Sequence, residues 1–428
     1  MWCKNYTDVS SNDYIGTSLV ALNHINNKND LYLSKLVCFF DRCSQRNNFL
    51  VIHIENWYIF FLAFLASFLP AGTSRSIGFV LTGSIFVFYF CPPAWLMLVG
   101  STSLVLLAFR PILRFVLSNH STLLLILAIS GIYFWDWLYA WEGRLDIIPF
   151  AFSAFGINTL RYMHVVAYRR SIIINQDNIW NIIAYLWYPP VMFCGPLERY
   201  QEFREYHVNQ QPRQWFNGLK LWFYGICKGS IVYIIRMAIV EADIDFDKAS
   251  ATILLLKIYL LGFTLMLSLS SWFDFVRGWS YMMGYPFNTP NFHQVHKVKS
   301  VASFWTHYNI SLTRWLKRHL FYRSLTQFRA RDFAAAVFIY FILIGIMKDM
   351  TSGFFLWGLL HGAAVLLNFF YIYLKLKFRW LMVFDTRYFP DIIKIIATHI
   401  FVLFSWALWY PDWYEQYARL LGRFGFNF

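Results

Sequence analysis

Residues Ser303 to Tyr322 read SFWTHYNISLTRWLKRHLFY, and LWGLLHG follows at Leu356 to Gly362. The first stretch sets Asn, His, Arg and Lys among aromatic and aliphatic residues. Chains embedded in lipid seldom keep such groups without a use for them. From Lys297 to Arg331 there are eight Lys/Arg, at 297, 299, 314, 317, 318, 323, 329 and 331, and no carboxylate. That bias places the stretch at the cytoplasmic face of a membrane. Its spacing is amphipathic: Ile310, Trp315 and Phe321 with Leu312, Leu316 and Leu320 form apolar rows, while Arg314, Lys317, Arg318 and Arg323 reach for headgroups.

The rest of the chain agrees with that setting. Of 428 residues, 58% are hydrophobic, only 14% are charged and 21% are aromatic, far from a soluble average. Apolar runs recur at 57–69, 77–90, 94–109, 123–139, 147–167, 179–194, 219–240, 253–271, 333–347, 353–374 and 392–409. Several approach the ~20 residues that a spanning helix needs. The expected fold is all-α: a multi-pass integral membrane helical bundle of about nine to eleven spans, with re-entrant or interfacial helices among them. Residues 1–56 are mostly polar and lack the basic-then-apolar order of a secretory signal. They read as a soluble or interfacial segment ahead of one membrane domain, 57–428.

The charge of +14 does not imply nucleic acid, because the basic residues lie between apolar spans and no groove-binding motif accompanies them. Membrane lipids are the expected partners of those charges. Six scattered cysteines, with no C-x-x-C and no metal-like pairing with histidine, predict neither a disulfide framework nor a metal site. Tyr188-Pro189-Pro190 and Gly195-Pro196 break a helix near a membrane boundary. A buried irregular loop is expected after them, over 197–213.

Four blocks in order then carry a resemblance, over roughly 147–368. They are IPFAFSAFGINTLRY from Ile148 to Tyr162, CGPLERYQEF from Cys194 to Phe203, SSWFD with Gly278 and MGYPF from Ser270 to Phe287, and FWTHYNISLTRWL from Phe304 to Leu316. Together they resemble the membrane-bound O-acyltransferase (MBOAT) family, in particular the bacterial branch of alginate O-acetyltransferases and teichoic acid D-alanyl transfer proteins.

The resemblance implies transfer of an acyl group, short and acetyl-like, from a thioester donor to a hydroxyl of a polysaccharide, envelope polymer or lipid. Acyl-CoA or an acyl-carrier protein would be the co-substrate, with no bound cofactor. A carrier or accessory envelope protein would be a partner, and a bacterial inner membrane the location. The chemistry needs a base for the hydroxyl and a donor for the thioester oxygen. On the matching positions, His361 and Asn309 are the candidate catalytic pair, and Trp305, Ser311, Trp315, Arg199 and Asp274 the candidate substrate-binding residues. Two positions depart from the bacterial pattern. Asn309 stands at the histidine of the fourth block, and Lys348 stands where the family's essential histidine is expected, thirteen residues before His361. On one continuous helix thirteen residues would separate these side chains by about 20 Å. Three readings follow: His361 is the base, a desolvated Lys348 is the base, or the chain is a silent MBOAT-fold subunit that binds lipid or a partner.

Structural roles stand beside each of these. A histidine between helices can serve a neighbouring carbonyl. Asn309 can cap the helix that Ile310 begins. Asp274 and Arg277 can pair with each other, Glu198 and Arg199 can form a salt bridge, and Arg161 with His164 can make a polar contact inside the bundle. A transporter would show paired internal repeats, and none is evident.

Overall fold

The structure is a computed structural model. It describes residues 57–90, 99–100, 102–103, 160–168, 177–191, 195–209, 211–239, 249–287, 290–321, 330–348, 352–382, 390–409 and 413–424. The polar segment 1–56 and the apolar runs at 123–139 and most of 94–109 and 147–167 lie outside the described residues.

Among the described residues the chain is helical, with one isolated antiparallel bridge between Phe292 and Tyr308. In chain order the helices are α1 (Trp57–Ala66), α2 (Thr73–Phe90), α3 (Ile179–Leu186), α4 (Tyr200–Val208), α5 (Trp215–Ile239), α6 (Ala251–Met282), α7 (Val301–His307), α8 (Ile310–Leu316), α9 (Ala330–Lys348), α10 (Ser352–Lys377), α11 (Asp391–Trp406) and α12 (Trp413–Arg423). Four of them are long and apolar enough to cross a membrane: α5, α6, α10, and α11 with the short 3-10 turn that extends it to Trp409. The longest, α6, has 32 residues and reaches about 48 Å at the helical rise per residue.

Local chemistry sets the helix starts. Asn178 accepts the Trp180 N–H at 3.0 Å ahead of α3, Ser250 accepts the Ile253 N–H at 3.4 Å ahead of α6, and Ser300 accepts the Ser303 N–H at 3.1 Å ahead of α7. Each side chain takes up a first-turn donor that has no helical partner. Residues 197–213 are not the continuous irregular loop that the prolines suggested. Tyr200–Val208 form α4, because Pro196 lies outside the helix and Glu202 accepts the Arg199 N–H at 3.3 Å at its start.

Helix packing depends on glycines where backbones nearly touch. Without a hydrophobic driving force between helices in lipid, close backbone approach supplies the attraction. A Cβ at Gly262 of α6 would lie 2.0 Å from the Leu403 carbonyl oxygen of α11. Gly262→Ala is therefore expected to push α6 and α11 apart and lower stability by about 1–3 kcal/mol or more, read as an earlier thermal transition in detergent. A variant with an unchanged transition would contradict this contact.

Helices α9 and α10 form an antiparallel hairpin by the same means. A Cβ at Gly345 would meet the Phe354 carbonyl oxygen at 2.5 Å, and one at Gly358 would meet that of Phe341 at 2.7 Å. This removes the single-helix premise for Lys348 and His361. Lys348 closes α9, His361 returns on α10, and their chain separation no longer fixes their distance. His361 sits beside Phe341, with ring centroids 6.0 Å apart, seven residues or about 10 Å of helix before Lys348. The Lys348 side chain itself lies outside the described residues.

Candidate active site

His361 is fully buried in α10, and three helices supply its surroundings. From α7, Trp305 Nε1–H donates to His361 Nδ1 at 3.1 Å. An indole nitrogen can only donate, so Nδ1 carries a lone pair and the proton of the neutral ring is on Nε2. That N–H donates to Ser405 Oγ of α11 at 2.8 Å, and the Ser405 hydroxyl donates onward to the Val402 carbonyl at 2.7 Å. The chain Trp305, His361, Ser405, Val402 is closed at both ends and fixes one tautomer. Aromatic rings pack around the imidazole: Trp357 at 4.7 Å, Trp305 at 5.3 Å, Phe401 at 5.3 Å and Phe341 at 6.0 Å between centroids.

Asn309 begins α8 in the left-handed region, φ 50° and ψ 55°. Asparagine tolerates this conformation better than most residues. It stands at the cap position, yet its side chain does not cap the helix. Asn291 does, from 18 residues upstream. The Phe292–Tyr308 bridge brings the two segments side by side. Asn291 Oδ1 accepts the Ser311 N–H at 2.8 Å, its carbonyl accepts the Ile310 N–H at 3.0 Å, and its amide donates to Asn309 Oδ1 at 3.1 Å. The cap reading of Asn309 thus holds for the backbone, while the side-chain function belongs to Asn291. Thr313 ties α8 to α7 by donating its hydroxyl proton to the Trp305 carbonyl at 2.7 Å.

The other candidates fall into separate groups. Ser311 Oγ accepts the Leu197 N–H at 3.0 Å, which joins the second and fourth sequence blocks. Trp315 stacks on His319, with centroids 4.0 Å apart. Asp274 does not pair with Arg277. It pairs with Lys228 of α5, whose ammonium also donates to Ser270 Oγ at 2.8 Å, because Lys228 reaches it directly across the α5–α6 contact. Arg199 pairs with Glu202 rather than Glu198, its Nε donating to Oε1 at 2.7 Å. Of the sequence candidates, Trp305 and His361 are bonded directly and Asn309 follows four residues after Trp305, whereas the bonds of Asp274, Arg199 and Trp315 lead elsewhere.

A second histidine chain lies beside Trp315. The Tyr200 N–H donates to His164 Nε2 at 3.3 Å, so His164 Nδ1–H donates to His319 Nε2 at 3.2 Å, and His319 Nδ1–H donates to the Trp315 carbonyl at 2.8 Å. His164 contacts this chain rather than Arg161, whose guanidinium lies over the Tyr185 ring, 4.5 Å from its centroid. His319 sits in a π-helical turn, Lys317–Phe321, a rare one-turn distortion of helical structure. Burial, and then the nearby Arg318, hold His319 at about 4 against a favourable bond to Trp315, so the chain stays uncharged at neutral pH.

Glu198 and Glu202 form a carboxyl pair at the start of α4. Burial pushes Glu198 up to about 8, and the neighbouring Glu202 adds to the shift. Burial opposes ionisation of Glu202 as well, but hydrogen bonds from Glu198 and Arg199 outweigh it and hold it at about 2. The pair therefore keeps one proton between these limits. Unfolded, both groups titrate near 4.5. Above that the folded state binds the extra proton, so stability falls as pH rises from about 4.5 to 8; below it the unfolded state binds more, so stability rises with pH. Glu198→Gln is expected to abolish the fall on the alkaline side. Thermal midpoints measured from pH 5 to 8 check this, and an unchanged slope in the variant would contradict it.

Sequence reading did not find Asn291, Ser405, Lys228 or the His164–His319 contact. Asn291 and Ser405 are single polar residues in ordinary surroundings, and only the fold brings them to Asn309 and His361. Among the described residues no group of three or more His, Cys, Asp or Glu could hold a metal.

Residues 104–408 match the family model of MBOAT, the membrane-bound O-acyltransferase family. The chain is 22% identical to the teichoic acid D-alanyltransferase of Bacillus subtilis over 281 residues, 60% of this chain and 68% of that protein. It is 27% identical to the peptidoglycan O-acetyltransferase of Helicobacter pylori over 251 residues, 56% of this chain and 45% of that protein. With the probable alginate O-acetylase AlgI of Pseudomonas aeruginosa the figure is 25% over 222 residues, 50% of this chain and 42% of the relative. The matches thus span about half of the length of the latter two proteins.

Proposed function

This chain belongs to the membrane-bound O-acyltransferase family, and from that premise we propose that it transfers a short acyl group from a thioester donor to a hydroxyl of a bacterial envelope polymer. The observation that carries this reading is the bond from Trp305 to His361, which joins the fourth sequence block to LWGLLHG at a buried imidazole. The relatives named for D-alanyl and O-acetyl transfer to envelope polymers support the acceptor class. A bacterial inner membrane and a thioester carried on coenzyme A or a carrier protein complete the proposal.

His361 works as base at Nδ1, which faces Trp305, once the indole N–H has turned away. The acceptor hydroxyl gives its proton to Nδ1 while its oxygen bonds to the thioester carbonyl carbon. The C–S bond then breaks, and the leaving thiolate takes the proton back from the imidazolium. The Nε2–H bond to Ser405 persists throughout and steadies the charged ring, as an orienting partner does in other histidine sites.

Two points favour the silent-subunit reading: both ring nitrogens of His361 are already engaged, and Lys348 aligns with the position of the family's essential histidine. The separating experiment is acyl transfer from acetyl-CoA to a peptidoglycan or teichoic acid acceptor by the purified protein, beside His361→Ala, Asn309→Ala and Lys348→Ala. Product from the wild type that falls only in His361→Ala and Asn309→Ala supports the proposal. Loss in Lys348→Ala alone moves the base to Lys348. No product, or equal product from all four proteins, rejects the site.

A further inference from the structure

Trp357 and Trp406 are fully buried, and the indole N–H of each lacks a hydrogen-bond partner. Both belong to one aromatic wall. Trp357 meets His361 at 4.7 Å and Trp409 at 5.2 Å, Trp409 stacks on Trp406 at 5.1 Å and 10°, and Trp406 meets Tyr308 at 5.0 Å. The wall therefore runs from the imidazole to the residue before Asn309.

A buried donor left without an acceptor costs about 1–3 kcal/mol, and native structures leave few such groups unexplained. The group that would satisfy these two is narrowly defined. It must accept, since an indole nitrogen can only donate, and an acceptor that carries no proton of its own leaves His361 Nδ1 for the proton of the attacking hydroxyl. It must be uncharged, since the side chains of the wall supply no cation and a buried lone anion is prohibitively costly. It must sit on an apolar stem. A carbonyl oxygen meets all three conditions. We propose that Trp357 and Trp406 are donors to the carbonyl oxygen of the acyl thioester, received by one or both of their N–H groups. This rests on the acyl-transfer reading above and assigns the residues that would bind the acyl group. As the hydroxyl attacks, the oxygen gains charge and the same N–H groups hold it more strongly.

The test uses the full-length protein with Trp357→Phe, Trp406→Phe and, as control, Trp279→Phe. Phenylalanine keeps a ring and removes the N–H. Trp279 also has a buried, unpartnered N–H, but it packs against Phe60 and Trp222, away from His361. Two probes differ only by a carbonyl in place of a methylene: S-acetonyl-pantetheine and S-propyl-pantetheine. Wild type and Trp279→Phe are expected to prefer the acetonyl probe. Trp357→Phe, Trp406→Phe or both should lose that preference and lower kcat/KM for transfer by about 100-fold. The preference is a ratio within each protein, so a partly unfolded variant still reports it. Wild-type transfer with both variants retaining its rate and its probe preference overturns this assignment and leaves the acyl-transfer reading standing. Absence of transfer and of binding to either probe by the wild type overturns both.

Discussion

His361→Ala is expected to lower acyl transfer by about 100- to 10,000-fold, the usual contribution of a positioned proton acceptor, and to destabilise the fold by about 2–4 kcal/mol. The second effect has its own cause: the variant strands the buried Trp305 N–H and opens a cavity between α7, α10 and α11. His361→Gln separates the two. A glutamine offers an amide oxygen and an amide N–H to the same neighbours, so much of the stability should return. It cannot take up a proton at working pH, so transfer should not return with it. A glutamine variant as fast as the wild type would show that the residue is a structural link only.

Asn291→Ala is expected to have an equally large effect on architecture. The variant leaves the buried Ser311 N–H without an acceptor and Asn309 Oδ1 without a donor. The expected cost is about 2–4 kcal/mol, concentrated at the start of α8. Hydrogen exchange should show faster opening of the first turn of α8 in this variant than in Asn309→Gly. Glycine suits the left-handed backbone of Asn309 and leaves the Asn291 bond to Ser311 intact. Equal exchange in the two variants would refute the capping role of Asn291.

The membrane setting and the helical class were legible in composition and in the length of the apolar runs, because burial in lipid demands continuous apolar sequence and internal backbone pairing. Helix α10 and the run that became α11 were visible for that reason. The family was legible in four ordered blocks, of which the second and fourth prove to be linked through the Leu197 N–H and Ser311 Oγ. Contacts made across long sequence separations were less accessible. Lys228 gave no sign in sequence that it would take Asp274 from Arg277, since their pairing depends on how α5 lies on α6. The α4 helix was hidden by its flanking prolines, which limit a helix without forbidding one after them. The separation of Lys348 and His361 was weighed on one continuous helical axis, whereas the two residues lie on helices that pack antiparallel, with Gly345 against Phe354 and Gly358 against Phe341.

The glycine contacts between α9 and α10 bear on the order of assembly. Gly345 and Gly358 let the two helices meet backbone to backbone, so the hairpin needs no later element to hold it and can form as soon as both helices enter the bilayer. At that stage His361 has neither α11 nor, unless α7 has already docked, α7 beside it. Its Nε2–H must wait for Ser405, more than forty residues later in synthesis. The buried imidazole thereby couples completion of the bundle to the arrival of α11: a chain that stops after α10 keeps the Nε2–H of His361 in its apolar interior without the Ser405 acceptor.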